Sequence, residues 1–132
     1  MIVRRGLAIV LSLVLSAAAL ALASSATAGD GEPVKDKVSC EKQSEIKLKL
    51  QLNEDGRIEA TGVVWTNDDN VWDWKFKHNG DVSAEGDVKA DDEAERSFKI
   101  VRTMVNLDGP DLVVFRAQNR ATDEVCKHDL YY

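Results

Sequence analysis

Val71-Trp72-Asp73-Trp74-Lys75-Phe76-Lys77-His78-Asn79-Gly80-Asp81-Val82-Ser83-Ala84 is the stretch that decides the fold class. Trp72, Trp74 and Phe76 alternate with Asp73, Lys75 and Lys77, the period-two pattern of a strand with one face on a core and one in water. Asn79-Gly80 follows at once. Both central positions of a type I′ turn need positive φ, which Asn and Gly tolerate, so this dipeptide predicts a tight hairpin into a strand from Asp81 to about Lys89.

The same period extends in both directions. Ser44 to Leu52 places Ile46, Leu48, Leu50 and Leu52 against Lys47, Lys49 and Gln51. Asn53-Glu54-Asp55-Gly56 turns the chain into Arg57 to Thr66, whose alternation breaks at Gly62, where a bulge is expected and the phase of Trp65 is left open. Beyond the hairpin come Ser97 to Val105, Leu112 to Arg120 and Glu124 to Tyr132, separated by polar or acidic loops. That is seven strands, eight if Val34 to Cys40 also pairs, and no helical stripe. The expected fold is all-β, an immunoglobulin-like antiparallel β-sandwich, with a small up-and-down β-barrel as the alternative.

The N-terminus reads differently. Arg4 and Arg5 precede an uncharged apolar run from Leu7 to Leu22, and Ala26-Thr27-Ala28 supplies an A-x-A cleavage pattern. Residues 1–28 are therefore expected to be a secretory signal peptide, residues 29–37 a flexible mature N-terminus, and residues 38–132 one domain. The apolar run is short for a spanning helix, which needs roughly 20 residues. The expected location is extracellular. The mature chain, of roughly 100 residues, suffices for a single core.

Loss of Arg4 and Arg5 leaves 15 basic residues facing 23 acidic ones, a balance of −8. Such a surface repels phosphate backbones and anionic headgroups, and no Lys/Arg cluster stands out to reverse that locally, so nucleic acid and membrane partners are not expected. In an oxidising compartment Cys40 and Cys126 are expected to form a disulfide. Closing a loop of about 85 residues contributes up to about 4 to 5 kcal/mol by the chain-entropy argument.

Candidate chemistry is sparse. His78, beside the turn, reads as a solvated strand-end residue, and His128 lies in phase with Cys126 and Leu130. The carboxylates of Asp68-Asp69, of Asp91-Asp92-Glu93-Glu95, and of Asp108 with Asp111 read as solubilising loops. Calcium would find oxygen ligands most readily at Asn67 to Asn70 or near Asp108, but no loop has a calcium-binding spacing, so no metal or cofactor is expected. The aromatics offer more. Trp72, Trp74 and Phe76 form either a buried stripe or, with Trp65, a platform for a sugar or a partner protein. Trp65, Trp72 and Trp74 are thus the candidate ligand-binding residues, with Trp65 the best candidate for exposure.

The segment Leu107-Asp108-Gly109-Pro110-Asp111-Leu112-Val113-Val114-Phe115-Arg116-Ala117-Gln118-Asn119 resembles the late strands of immunoglobulin and fibronectin type III modules, where an Asp-containing corner precedes an aromatic strand ending in Ala-x-Asn. It departs from the immunoglobulin pattern in carrying Leu112 or Val113 where a corner Tyr would stand, and in having its cysteines at the ends of the domain. The overall layout (signal, early Cys, Trp-rich middle, late Cys) resembles small secreted proteins of actinobacteria. The resemblance implies export and a β fold. The function expected is a secreted, monomeric, non-enzymatic binding module for an extracellular protein or carbohydrate, the alternative being a secreted inhibitor or toxin-like effector.

Overall fold

The structure, a computed structural model, describes residues 32–91 and 95–132. The expected signal peptide, and Asp92 and Glu93 of the acidic loop, lie outside the described residues. Eight strands are present: β1 (Val34–Ser39), β2 (Glu45–Leu52), β3 (Ile58–Trp65), β4 (Val71–His78), β5 (Asp81–Lys89), β6 (Ser97–Met104), β7 (Leu112–Asn119) and β8 (Val125–Tyr131). They form two four-stranded antiparallel sheets, ordered β1-β2-β3-β6 and β5-β4-β7-β8. The sheets pack face to face as a β-sandwich and do not close into a barrel. The chain crosses between them at β3–β4, β5–β6 and β6–β7, and the seven connections alternate between the two poles, four at one and three at the other.

Alternation gives the core. Ile46, Leu48 and Leu50 of β2, Ile58, Ala60 and Val64 of β3, and Phe98, Ile100 and Met104 of β6 meet Trp72, Trp74, Phe76, Val113, Phe115 and Ala117 of the other sheet. Aromatic contacts run through it: Phe76 stacks on Phe115 at 4.6 Å between centroids, and Trp72 meets Phe98 across the sandwich at 5.9 Å. Asn79 and Gly80 both take positive φ at the hairpin, as the turn requires. The chain's bulge lies just beyond it, where the β4–β5 register shifts between Phe76 and Lys77.

Two features differ from the sequence expectations. Ordered structure begins at Val34, inside the stretch expected to be flexible, because β1 pairs along its whole length with β2 from Val34↔Leu50 to Ser39↔Glu45. Its composition is polar, but an edge strand needs only one inward row, and Val34 and Val38 supply it. Gly62 is not a bulge. The β2 and β6 registers run unbroken through it, with Leu48 and Ile100 as its partners, so it occupies an inward core position. A Cβ there would lie 2.4 Å from the Phe115 ring. Glycine is present because the aromatic of the opposite sheet already fills the side-chain volume.

The Cys40–Cys126 disulfide joins the segment after β1 to β8, the neighbouring edge of the second sheet. The Glu41 amide adds a hydrogen bond to the Val125 carbonyl at 3.3 Å.

Filling the Gly62 position forces a core ring to move, and overpacking of this kind costs about 1–3 kcal/mol. Gly62→Ala should lower the unfolding free energy by that amount, read as a lower urea midpoint at unchanged slope, and adding Phe115→Leu should recover part of the loss. Chemical denaturation of the two variants and Phe115→Leu alone tests the contact.

Candidate binding face

The three tryptophans do not form one platform. Trp72 and Trp74, proposed as ligand-binding residues, are buried in the core from β4, and the interposed Asp73 and Lys75 take the water side. Trp74 leaves so little space that a Cβ on Gly86 would stand 2.9 Å from its ring, and the Arg102 guanidinium covers its other approach at 4.8 Å from the ring centroid. Trp65 belongs to the opposite sheet. With no bulge at Gly62, β3 keeps its phase, so Glu59, Thr61, Val63 and Trp65 all point outward. Trp65 is half-buried, its ring lying under the Lys37 ammonium at 4.4 Å.

The outer surface around Trp65 is where the strand registers bring charge together. Lys35 stands opposite Lys49, and Lys37 opposite Lys47. Lys47 is opposite Val63, which is in turn opposite Lys99. Five lysines thus share one face of the β1-β2-β3-β6 sheet, with Glu45 and Glu59 as its acids. Only Lys37 is neutralised, by Glu45 at 2.7 Å. Among the described residues Lys35, Lys47, Lys49 and Lys99 have no ion-pair partner. Between them lies a shallow depression of about 260 Å³ lined by Lys47, Lys49, Lys99, Thr61, Val63 and Glu59.

This cluster was not legible as a run, because its members come from three strands separated by up to 64 positions between Lys35 and Lys99. The signal that could have found it is the pair of i, i+2 lysines in β1 and again in β2, read together with an antiparallel register.

The outer face of the other sheet is organised differently. Lys75 approaches Glu85 at 3.6 Å, and Arg120 clasps both Asp73 and Asp87. Acids and bases are mixed on this face, although Lys75, Arg116 and Lys127 stand in one row across β4, β7 and β8.

Carboxylates collect at the poles instead, and several serve as structural acceptors. At the pole holding the β1–β2 connection, Glu124 accepts from the Lys42 amide at 2.8 Å, the Ser44 amide at 3.2 Å and the Ser44 hydroxyl at 2.8 Å. Asp68 accepts from the Asn70 amide, Trp72 Nε1, Asn119 Nδ2 and the Thr66 hydroxyl. The cavity of about 270 Å³ beside these groups is thus lined by the carboxylates of Asp68 and Glu124, both already engaged, together with Lys42, Asn67 and Asn70. Among the described residues the one group of donors close enough to converge on an ion is Cys40, Glu124 and Cys126, and the two sulfurs are bonded to each other.

At the opposite pole the sequence expectation for His78 and Asp111 is corrected. His78 is not solvated: its Nε2 lies 2.6 Å from Oδ1 of Asp111, which is fully buried. Asp111 extends the β7–β8 ladder by exchanging backbone hydrogen bonds with Tyr132, and this turns its side chain inward under the hairpin.

Comparison with family models, curated proteins and solved structures finds no match to this chain. Function has to be argued from these surfaces.

Two measurements follow. Trp74→Ala should cost roughly 3–5 kcal/mol, the magnitude for truncating a core aromatic, whereas Trp65→Ala should cost clearly less, since its ring faces outward; denaturant midpoints compare them. The Arg120 guanidinium, chiefly by hydrogen bonding, holds the Asp73 carboxyl below its ordinary 3.8. A depressed carboxylate pKa means the pair's contribution is present above the unfolded value and lost as pH falls through the folded one. In Arg120→Ala the Asp73 titration, followed by NMR, should move up toward the ordinary range.

Proposed function

We propose that the chain is exported and that its mature domain is a non-enzymatic extracellular binding module with an immunoglobulin-like arrangement, presenting the outer face of the β1-β2-β3-β6 sheet to its ligand. One observation carries this reading. Two lysine pairs stand directly opposite each other on neighbouring strands, and of these four lysines only Lys37 has an acid partner, in a chain with an acidic excess. Like charges directly across an antiparallel pair are destabilising, and acidic residues at Lys47 or Lys49 would relieve them. A surface that departs from the locally stable choice is the signature of a functional site. The Greek-key crossing of the chain supports the immunoglobulin-like arrangement, and the disulfide between the two edges suits an oxidising exterior.

A face that binds is a face that becomes covered. Purified mature protein should be acetylated with a lysine-selective reagent, alone and after incubation with envelope and secreted material of the producing cells, and the modified sites read by mass spectrometry. Lys35, Lys47, Lys49 and Lys99 should lose reactivity several-fold, while Lys75, Lys77, Lys89 and Lys127 on the other sheet keep theirs. Uniform reactivity throughout, or protection confined to the second group, would overturn the assignment.

A further inference from the structure

Resting on the reading of this face as a binding surface, we infer that its ligand is an acidic polysaccharide, a chain of sugars bearing carboxylates or sulfates, lying across the lysine rows.

Charge complementarity gives the sign. The row Lys37, Lys47, Val63, Lys99 crosses all four strands, and at a strand spacing of about 4.8 Å its outer ammonium-bearing positions stand about 15 Å apart. The second row, Lys35 and Lys49, runs beside it one side-chain repeat along the strands, about 7 Å away. The result is a flat, two-row strip of cations. A small anion would need donors converging on it free of nearby acid, and the depression here has the Glu59 carboxylate in its lining. A strip fits a polymer that repeats its negative charge.

The character of the residues selects among polymers. A folded acidic protein would be met by a dry centre enriched in aromatics and Arg and depleted of Lys. Among the described residues the strands of this face carry lysine as their only outward cation, and besides Trp65 their outward apolar side chains are Val63 and Val101, on diagonal positions of β3 and β6. Lysine is a strongly hydrated point charge without the planar fork that fixes a bidentate partner, so it suits a flexible anion that keeps its water. Single-stranded nucleic acid is bound by cationic grooves in which bases stack on free aromatic rings. The one tryptophan here is already covered by Lys37. A bilayer is flat and wide, so it would bring its anionic headgroups against the pole loops as well, where Glu54 and Asp55 flank one end of the sheet and Asp69 the other. A thin polymer following the lysine rows avoids those carboxylates. Thr61 and Thr103 on the same face add hydroxyls of the kind that bond sugar hydroxyls.

Binding to polygalacturonate and dextran sulfate, with neutral dextran, single-stranded DNA and anionic phospholipid vesicles as comparators, tests the inference in one titration series. Wild-type protein should bind one or both acidic polysaccharides, distinguishing carboxylate from sulfate, and should ignore neutral dextran. Affinity should fall steeply with salt, because exposed charges are screened. Lys47→Glu with Lys49→Glu should weaken binding by on the order of tenfold or more. The same double variant should be at least as stable as wild type to urea, since each new carboxylate faces Lys37 or Lys35. A double variant of Lys77→Glu and Lys127→Glu, with the same charge change on the other sheet, should bind as wild type does.

Equal or tighter binding to DNA or vesicles, salt-independent binding, or equal losses in the two double variants would overturn the polysaccharide assignment. Absence of binding to both acidic polysaccharides, while envelope material still shields Lys35, Lys47, Lys49 and Lys99 from acetylation, would overturn the assignment and leave the binding face standing. Absence of both effects would remove the face as well.

Discussion

The contact of the Phe115 ring with the bare backbone of Gly62 sets the phase of this structure. It brings β7 of one sheet against the centre of β3 in the other, closer than any side chain on β3 would permit. Because Gly62 is held inward, Ile58, Ala60 and Val64 fall inward with it, and Glu59, Thr61, Val63 and Trp65 must face water. A slip of one residue would bury Glu59 and expose Ile58. The same phase aligns Lys47 and Lys99 on either side of Val63, so the lysine face depends on a glycine that never touches it.

The strands themselves were legible, and for a simple reason. Each has a local signature, as in Ile46-Lys47-Leu48-Lys49-Leu50, and the Asn79-Gly80 turn is dictated by backbone conformation alone. What escaped local reading depended on partners distant in sequence. Gly62 resembles a strand break until Phe115, more than fifty positions later, is placed over it. Residues 34–37 have a disordered composition until β2 offers them a ladder. Asp111 belongs to a turn by composition, yet pairing with the C-terminal Tyr132 rotates it under His78. The buried stripe of Trp72, Trp74 and Phe76 was readable from alternation, whereas the candidate site was not, since its lysines are unremarkable on each strand and meaningful only in register.

Charge is sorted by position in this fold. The strands' water faces hold the lysines, and the loops at the two poles hold most of the carboxylates, of which Glu41, Asp68, Asp111 and Glu124 accept backbone amides where ladders end. Acceptors are needed at such ends, since amides that leave a ladder must find partners. The acidity of the loops therefore has a structural explanation. The concentration of lysine on one sheet has none, because Lys35, Lys47, Lys49 and Lys99 make no ion pair among the described residues, while the other sheet sets acids among its bases, with Arg120 holding Asp73 and Asp87 and Lys75 approaching Glu85. An uncompensated field over one flat face is what raises the local concentration of an opposite charge and steers its approach.

The disulfide acquires a specific role in this light. β1 carries two of the five lysines, but it is an edge strand that buries only parts of Val34 and Val38 against the core, and its remaining inward residue, Asp36, reaches 3.3 Å from His128 on β8. Hydrogen bonds to β2 hold it in register, yet those bonds also bring Lys35 against Lys49 and Lys37 against Lys47, a repulsion that Glu45 relieves only at Lys37. The core of the two sheets does not require β1, since its largest buried side chains all come from β2 onward. A covalent tie from Cys40 to Cys126 anchors the strand at its end nearest the polar pole, where Glu124 also gathers the amides of Lys42 and Ser44. The bridge thus does more than restrict the unfolded chain. It keeps a repelled strand in place, and with it the second half of each lysine pair on which the strip depends.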